Sequence, residues 1–474
     1  MKVAFHTLGC KVNQYESEAM ARMFRAHGWD IADEREFADV YVINTCTVTA
    51  VADKKSRQYI RRMKRVNPDS IIAVTGCYAQ ISPEEVEKIE GVDIVTGTNE
   101  KSTLIDYVEE RIARRGEEGQ MTVIHSYDEL GIFEEMGTVS HAENRTRAYI
   151  KVQEGCSRFC SYCVIPYARG PVRSRALEDI MTEAKALIGE GYKELVLTGI
   201  NTAMYDMEGR DLYAHAEGSG DSSDDEAAEE IFGIEKAIAA INALPGDFRI
   251  RLSSLEPAVV NAAYVKRLFK YEKLCHHLHM SAQSGSDNVL KAMNRPYDTD
   301  QYMEMVKTLC EFDSVFGIST DIIVGFPGEK DRDFEESCRL VARCAFCKTH
   351  IFKYSKRPKT KAAEMKDQVS PQVKQKRSDE LQRISSEVAR AFFDMNIDLG
   401  RQGRTEEVLL EEMIEAPEEG AGITRGEEVL TGYTGNYIRV YIPVKNANGA
   451  GPGDMVRVRL DEIYDDGTAA SVVQ

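Results

Sequence analysis

Residues 154–170 read EGCSRFCSYCVIPYARG. Cys156, Cys160 and Cys163 fall there in a C-x3-C-x2-C spacing, followed by Ile165-Pro166-Tyr167 and Arg169. A structural zinc site takes four protein ligands, and no fourth cysteine or histidine stands close to Cys163. A four-iron cluster held by three thiolates instead leaves one iron open to a small molecule.

What surrounds this stretch decides the fold. It follows the strand pattern AYIKVQ (148–153), and further strand patterns come at ELVLTG (194–199), FRIRLSS (248–254), HLHMS (277–281), ISTDIIVGF (318–326) and KTHIFKY (348–354). Helical patterns separate them at 177–190, 231–243, 258–270, 286–294 and 331–343. Six such units predict a partial (β/α)6 barrel, two short of eight, with its active site at the carboxyl ends of the strands.

Upstream, KVAFHTL (2–8), DVYVINT (39–45) and SIIAVTG (70–76) each precede a helical stretch, the last helix opened by Ser82-Pro83-Glu84-Glu85. Short strands alternating with helices imply a parallel sheet covered on both faces. Downstream, KYSKRPKTKA (353–362) reads as a basic linker and 371–398 as a helix. After Gly400 the texture changes to short β-branched strands, TEEVLLEEMI, EVLTGY, NYIRVYIPV, DMVRVRL and AASVV. These suit a small antiparallel β-barrel of a kind that binds nucleic acids. The expected α/β organisation is a parallel α/β domain at 1–116, a crossing linker at 117–145, the partial barrel at 146–354, a linker and helix at 355–400, and the small barrel at 401–474.

A chain of 474 residues exceeds a single hydrophobic core. No run approaches the roughly 18 apolar residues that span a bilayer, and MKVAFHTLGC lacks the apolar core of a secretory leader. These features predict a cytoplasmic protein with no membrane partner. Its eleven cysteines are then reduced, and an odd count argues against a disulfide framework. A net charge of −18 excludes a chain coated in basic charge. The distribution is uneven: ten acidic residues and one arginine lie between Asp206 and Glu230, which reads as a solvated loop. KKSRQYIRRMKR (54–65) has seven basic residues and no acid.

Cys10, Cys46 and Cys77 are scattered, and each alone reads as a small core residue. Yet each directly follows one of the first three strands, in HTLGC, INTC and VTGC. Parallel strands bring such positions to one sheet edge, where loops converge on ligands. Three thiolates meeting there can hold a second cluster, again with an open iron.

These contexts, with EGCSRFCSYCVIPYARGPVRSR, QSGSDNVLKAMNR and TDIIVGFPGE, resemble the radical S-adenosylmethionine methylthiotransferases over essentially the whole chain. LGCKVNQYE, SSLEP and HLHMSAQSGSD look most like the branch acting on threonylcarbamoyladenosine beside the tRNA anticodon. The branches for isopentenyladenosine and for an aspartate of a ribosomal protein match less well. The resemblance implies two 4Fe–4S clusters, on Cys156, Cys160 and Cys163 and on Cys10, Cys46 and Cys77, together with S-adenosylmethionine and a carboxy-terminal TRAM barrel. It also implies that the first cluster cleaves S-adenosylmethionine to a 5′-deoxyadenosyl radical, which takes hydrogen from a carbon with no acidic proton. The second cluster would present the sulfur.

On this reading Gly199, Asn201, Ser281, Gln283 and Gly325 sit where the cofactor lies, although Gly or Ser there also serves a turn. Tyr162 either flanks the adenine or packs in the loop. Cys344 and Cys347 match a redox spacing but read as core, as do Cys275, Cys310 and Cys338, and His276, His277 and His279 read as solvent or core contacts. The small barrel is expected to grip tRNA, helped by residues 54–65 and the 353–361 linker, so its removal should spare both clusters. An unpaired anticodon-loop base can be splayed into a pocket. The electron comes from an external donor such as flavodoxin or ferredoxin. The alternative of another class is a non-catalytic, metal-holding RNA-binding protein.

Overall fold

A computed structural model of the chain describes residues 1–115, 119–138, 146–208 and 231–473. The acidic run expected as a solvated loop falls, from residue 209 to 230, outside the described residues.

The first sheet is wholly parallel, in the order β2-β1-β3-β4-β5-β6. Its strands are β1 (Lys2–Thr7), β2 (Asp30–Ala32), β3 (Val40–Thr45), β4 (Ile71–Gly76), β5 (Ile94–Thr96) and β6 (Met121–Val123). Strands β3 and β4 are buried at every residue because helices cover both faces. Tyr41, Ile43, Ile72 and Val74 pack against Ile60 and Met63 on one side. Val40, Val42, Ile71 and Ala73 pack against Met20, Phe24 and Leu104 on the other. Strand β6 lies within the stretch read as a crossing linker; three residues are too few for an alternation to register. The helix expected from Ser82 is Pro83–Glu87, with Ser82 at its N-cap, and a separate short helix, Cys77–Ile81, precedes it and ends where Pro83 has no N–H to continue it.

Strands β7 (Arg147–Lys151), β8 (Gln153–Glu154), β9 (Arg173–Ser174), β10 (Glu194–Thr198), β11 (Arg249–Leu252), β12 (Ser254–Leu255), β13 (His277–Met280), β14 (Gly317–Val324) and β15 (Lys348–Lys353) build the second unit. Parallel sheets β11-β10-β7 and β12-β13-β14-β15 are joined where FRIRLSS breaks at Ser253 and by a bridge between Ile250 and Leu274. Together they curve into the expected partial barrel. A helix at Thr299–Phe312, with a capping box between Asp298 and Gln301, is not anticipated by the sequence reading. Pro296 interrupts the pattern between it and the short helix Asp287–Ala292.

The carboxy-terminal strands β16 (Glu406–Glu415), β17 (Glu428–Thr434), β18 (Arg439–Pro443), β19 (Met455–Tyr464) and β20 (Gly467–Val472) close into a barrel in the order β16-β17-β18-β20-β19. One pair departs from the antiparallel expectation: β20 returns parallel to β18 after β19 has closed against β16.

This small barrel plugs the amino-terminal mouth of the larger one. Buried Glu194 is salt-bridged to Arg249 and Arg251 (2.6 and 2.9 Å). Arg249 donates onward to the Glu407 and Tyr433 carbonyls, and Arg251 to those of Thr434 and Gly435. Arg147 reaches Glu411 at 2.8 Å, and Tyr437 stacks on buried His277 with ring centroids 4.5 Å apart. The helix Pro371–Arg401 lies along β15 and ends with Phe392, Phe393 and Ile397 in the core of the small barrel. No helix among the described residues is long and apolar enough to cross a membrane.

Candidate active site at the domain seam

The loop bearing Cys156, Cys160 and Cys163 is pinned at its base, where β8 and β9 pair antiparallel and bring Glu154 opposite Arg173. Gly155 makes the entry possible: its φ is +72°, and a Cβ there would run into the Pro171 carbonyl. The far side is anchored by Ser161, whose N–H and hydroxyl donate to the carbonyls of Met293 and Ala292 (3.0 and 2.7 Å). Arg295, almost wholly buried, donates to the Cys160 sulfur at 3.3 Å while bound to Glu256 and the Tyr297 hydroxyl. Burial pushes the Cys156 thiol up to about 12. Burial, helped by the neighbouring Cys160 and Cys156, raises Cys163 as well. Three thiolates here would repel one another in a poorly solvated place, and a cationic iron core removes that conflict. The donor set therefore fits a cluster.

Cys10, Cys46 and Cys77 end at the carboxyl edge of β1, β3 and β4, with Cys10 exposed and the other two buried. Gly9, with φ of +120°, lets the loops close in: a Cβ on it would lie 2.9 Å from the Cys46 Cβ and 3.2 Å from its sulfur. Burial, with Cys77 adding to it, pushes the Cys46 thiol up to about 12. Burial raises the Cys77 thiol too, partly offset by Arg169. This set fits a cluster on the same chemical ground. Among the described residues no three His, Cys, Asp or Glu are grouped as a lone metal ion would hold them.

Arg169 comes from the far end of the first cysteine loop and is completely buried. It donates to the Cys77 sulfur at 3.2 Å, to Asn13 at 2.5 Å, and to both Glu16 and Glu154. Lys151 and Lys101 also bind Glu16, at 2.9 and 3.3 Å, and Lys151 binds Glu154. Burial alone would raise the Glu16 carboxyl, but Arg169, Lys101 and Lys151 hold it well below the usual range. These charges clamp the amino-terminal sheet onto the barrel top.

A cavity of about 220 Å³ opens along this seam. Tyr162, Cys163 and Gln283 line it from the barrel, and Val48 and Thr49, just past Cys46, from the other domain. Ser281 reaches it through Asp321, to which its hydroxyl donates at 2.7 Å. Burial would raise the Asp321 carboxyl, yet the hydrogen bonds from His279 and Ser281 keep it below its ordinary value. Gly199, Asn201 and Gly325 are not among the lining residues. Gly199 packs on Gln153, Asn201 caps the turn Thr202–Met204, and Gly325 lies against Lys374 of the long helix. Cys344 and Cys347 are buried and unpaired, and His277 and His279 share the Ser319 hydroxyl inside the barrel.

The sequence reading misses Asp321, Arg169 and Arg295. A charged residue inside an apolar strand, as in ISTDIIVGF, is the available signal for the first. It also expects the 353–361 linker to help grip the RNA and does not place it in the seam. Arg357 is instead buried against Thr47 and Asp53 (2.5 and 2.6 Å), and Ser355 accepts from the Ala50 N–H. The linker is therefore part of the seam, with Lys356, Lys359 and Lys361 left exposed.

Two family models match the chain: the family described as Uncharacterized protein family UPF0004 at residues 2–97, and the Radical SAM superfamily at residues 150–341. Threonylcarbamoyladenosine tRNA methylthiotransferase MtaB of Bacillus subtilis is 38% identical, over 97% of this chain and 98% of that one. A tRNA-2-methylthio-N(6)-dimethylallyladenosine synthase of Clostridium botulinum is 34% identical over 85% of each. Among solved structures, the radical S-adenosylmethionine methyltransferase TsrM of Kitasatospora setae shares the fold, with a TM-score of 0.54 at 13% identity over 76% of each chain.

Proposed function

This chain belongs to the radical S-adenosylmethionine methylthiotransferase family, and from that premise we propose that it adds a methylthio group to C2 of N6-threonylcarbamoyladenosine next to the anticodon of tRNA. One observation carries the proposal: a single cavity is lined by Cys163 and by Val48 and Thr49, so both cysteine-bearing loops open onto one space in which a base would be held. When bound, a 4Fe–4S cluster on Cys156, Cys160 and Cys163 supplies the electron that cleaves S-adenosylmethionine, and one on Cys10, Cys46 and Cys77 supplies the sulfur. Tyr162 would offer the cofactor an aromatic face, while Gln283 and the Asp321 carboxylate line the cavity as polar groups that a bound donor could reach. Gly199, Asn201 and Gly325 shape the loops around it. The buried clamp of Arg169, Lys101 and Lys151 on Glu16 and Glu154 holds the two domains to one another. An external one-electron donor of the flavodoxin or ferredoxin kind is required.

The threonylcarbamoyl substrate is favoured by the greater identity and coverage of the Bacillus subtilis relative over the Clostridium botulinum one. Mass spectrometry of nucleosides from tRNA carrying either modified adenine tests it. Product on the dimethylallyl base alone would replace the substrate and leave the chemistry standing. The variant Cys10→Ala, Cys46→Ala, Cys77→Ala is expected to keep about four irons and to go on forming 5′-deoxyadenosine, with no methylthio product. Full product from it would return these cysteines to the core.

The TRAM-like barrel at 401–474 and the helix Ala50–Val66 would hold the RNA backbone. On that helix Lys54, Lys55, Arg61, Arg62 and Arg65 are exposed, whereas Arg57 is engaged with Tyr78. The pair Arg61→Glu, Arg62→Glu should weaken tRNA binding and reduce the slope of log affinity against log salt by about two. An unchanged slope would remove this helix from the RNA surface.

A further inference from the structure

Each cysteine set is touched by one buried guanidinium, and the two arrive by different routes. Arg295 reaches Cys160 from within the same barrel, at 3.3 Å. Arg169 reaches Cys77 from the other domain, at 3.2 Å, carried by the loop that holds Cys156, Cys160 and Cys163. The contact is directional: the Nε–H is committed to the sulfur while the two amino groups bind Asn13, Glu16 and Glu154. Among the side chains in direct ion-pair contact, Arg169, Lys151 and Lys101 face two carboxylates, Glu16 and Glu154. One positive charge is left over, directed at the Cys77 sulfur. A resting four-iron cluster on three thiolates carries one negative charge and would complete the balance. Unpaired buried charge is costly, so this arrangement makes sense with an anionic group on the three cysteines.

We propose that Arg169 is a positioning residue for a cluster on Cys10, Cys46 and Cys77, donating to the Cys77 sulfur and raising that cluster's reduction potential. The inference rests on the function proposed above. Hydrogen bonds and positive charge at cluster sulfurs favour the reduced, more negative state. Because Arg169 belongs to the first cysteine loop, the potential of the second cluster depends on the docking of the two domains. Arg295 makes its sulfur contact with the other set, at Cys160, and so serves as the control.

The test uses full-length protein in a Cys156→Ala, Cys160→Ala, Cys163→Ala background, which isolates the second cluster, labelled with nitrogen-15 arginine. Pulsed electron paramagnetic resonance of the reduced cluster is expected to show a nitrogen-15 coupling that disappears on Arg169→Lys. Arg169→Gln should shift the midpoint potential to more negative values with iron content retained, Arg169→Lys should restore part of the shift, and Arg295→Gln should leave it unmoved. If Arg169→Gln does not fold, the coupling in the Arg169-containing protein decides the matter alone. A cluster with no arginine coupling, or a midpoint indifferent to Arg169→Gln, overturns the inference and spares the proposed function. Absence of any cluster from Cys10, Cys46 and Cys77 overturns both.

Discussion

Protein in which Cys156, Cys160 and Cys163 are all replaced by alanine is expected to form no 5′-deoxyadenosine under reduction and to carry about four irons fewer per chain. The loss should be complete, because a three-point site has no spare ligand. The scaffold should survive: the loop is held by the β8–β9 pair and by Ser161 on the carbonyls of Ala292 and Met293, none of which uses sulfur. Arg295 keeps Glu256 and Tyr297 when Cys160 is gone, so no buried charge is stranded. Arg169 keeps its contacts as well, and the remaining irons should stay with Cys10, Cys46 and Cys77. Anaerobic purification, iron analysis and chromatography of the cleavage products check each point. Undiminished cleavage would end the assignment.

The second large effect concerns the other end of the barrel. Truncation after Gly400 is expected to yield insoluble or unfolded protein, not an enzyme with intact clusters that has merely lost its grip on RNA. The cut would bare Arg249, Arg251 and His277 and strand Phe392, Phe393 and Ile397 without their core. A gentler probe is Glu194→Gln, which leaves Arg249 and Arg251 without their buried carboxylate. It should cost about 3–5 kcal/mol, a large share of the about 5–15 kcal/mol that holds a typical domain together. Thermal unfolding measures it. Burial would raise the Glu194 carboxyl, yet Arg251 and Arg249 hold it far below its ordinary range. The stability it contributes is thus complete above the unfolded value of about 4.3 and is lost as pH falls through the folded one. The wild-type advantage over Glu194→Gln should accordingly shrink in acid. A soluble, cluster-bearing 1–400 fragment would show that the plug is dispensable.

The partial barrel was readable from the chain because short strand patterns alternate with stretches of helical periodicity, and each of those patterns lies on an observed strand. The positions of Cys10, Cys46 and Cys77 after β1, β3 and β4 were readable for the same reason. What escaped was long-range pairing. Arg169 meets Cys77 across 92 residues and Arg357 meets Asp53 across 304, and neither leaves a local pattern. A charge at a strand's start or in an alternation looks solvent-facing, so Glu194 and Arg251 gave no sign that they point into a barrel, whereas Asp321 left the one signal of a charge inside an apolar strand. Strand β6 was lost to its shortness, and the helix Thr299–Phe312 to the proline just before it.

The helix Pro371–Arg401 carries a consequence for how such a chain can vary. Lys374, near its start, donates to the Tyr354 carbonyl beside the cavity, and its last turns lie in the small barrel's core. Thirty-one residues make a rod of about 46 Å, and each residue added would lengthen it by about 1.5 Å and turn its far end by about 100°. A loop of that size could absorb an insertion for a fraction of a kcal/mol. The rod cannot, since both ends are already docked, and the distance from cavity to small barrel is therefore written into the chain as a count of residues.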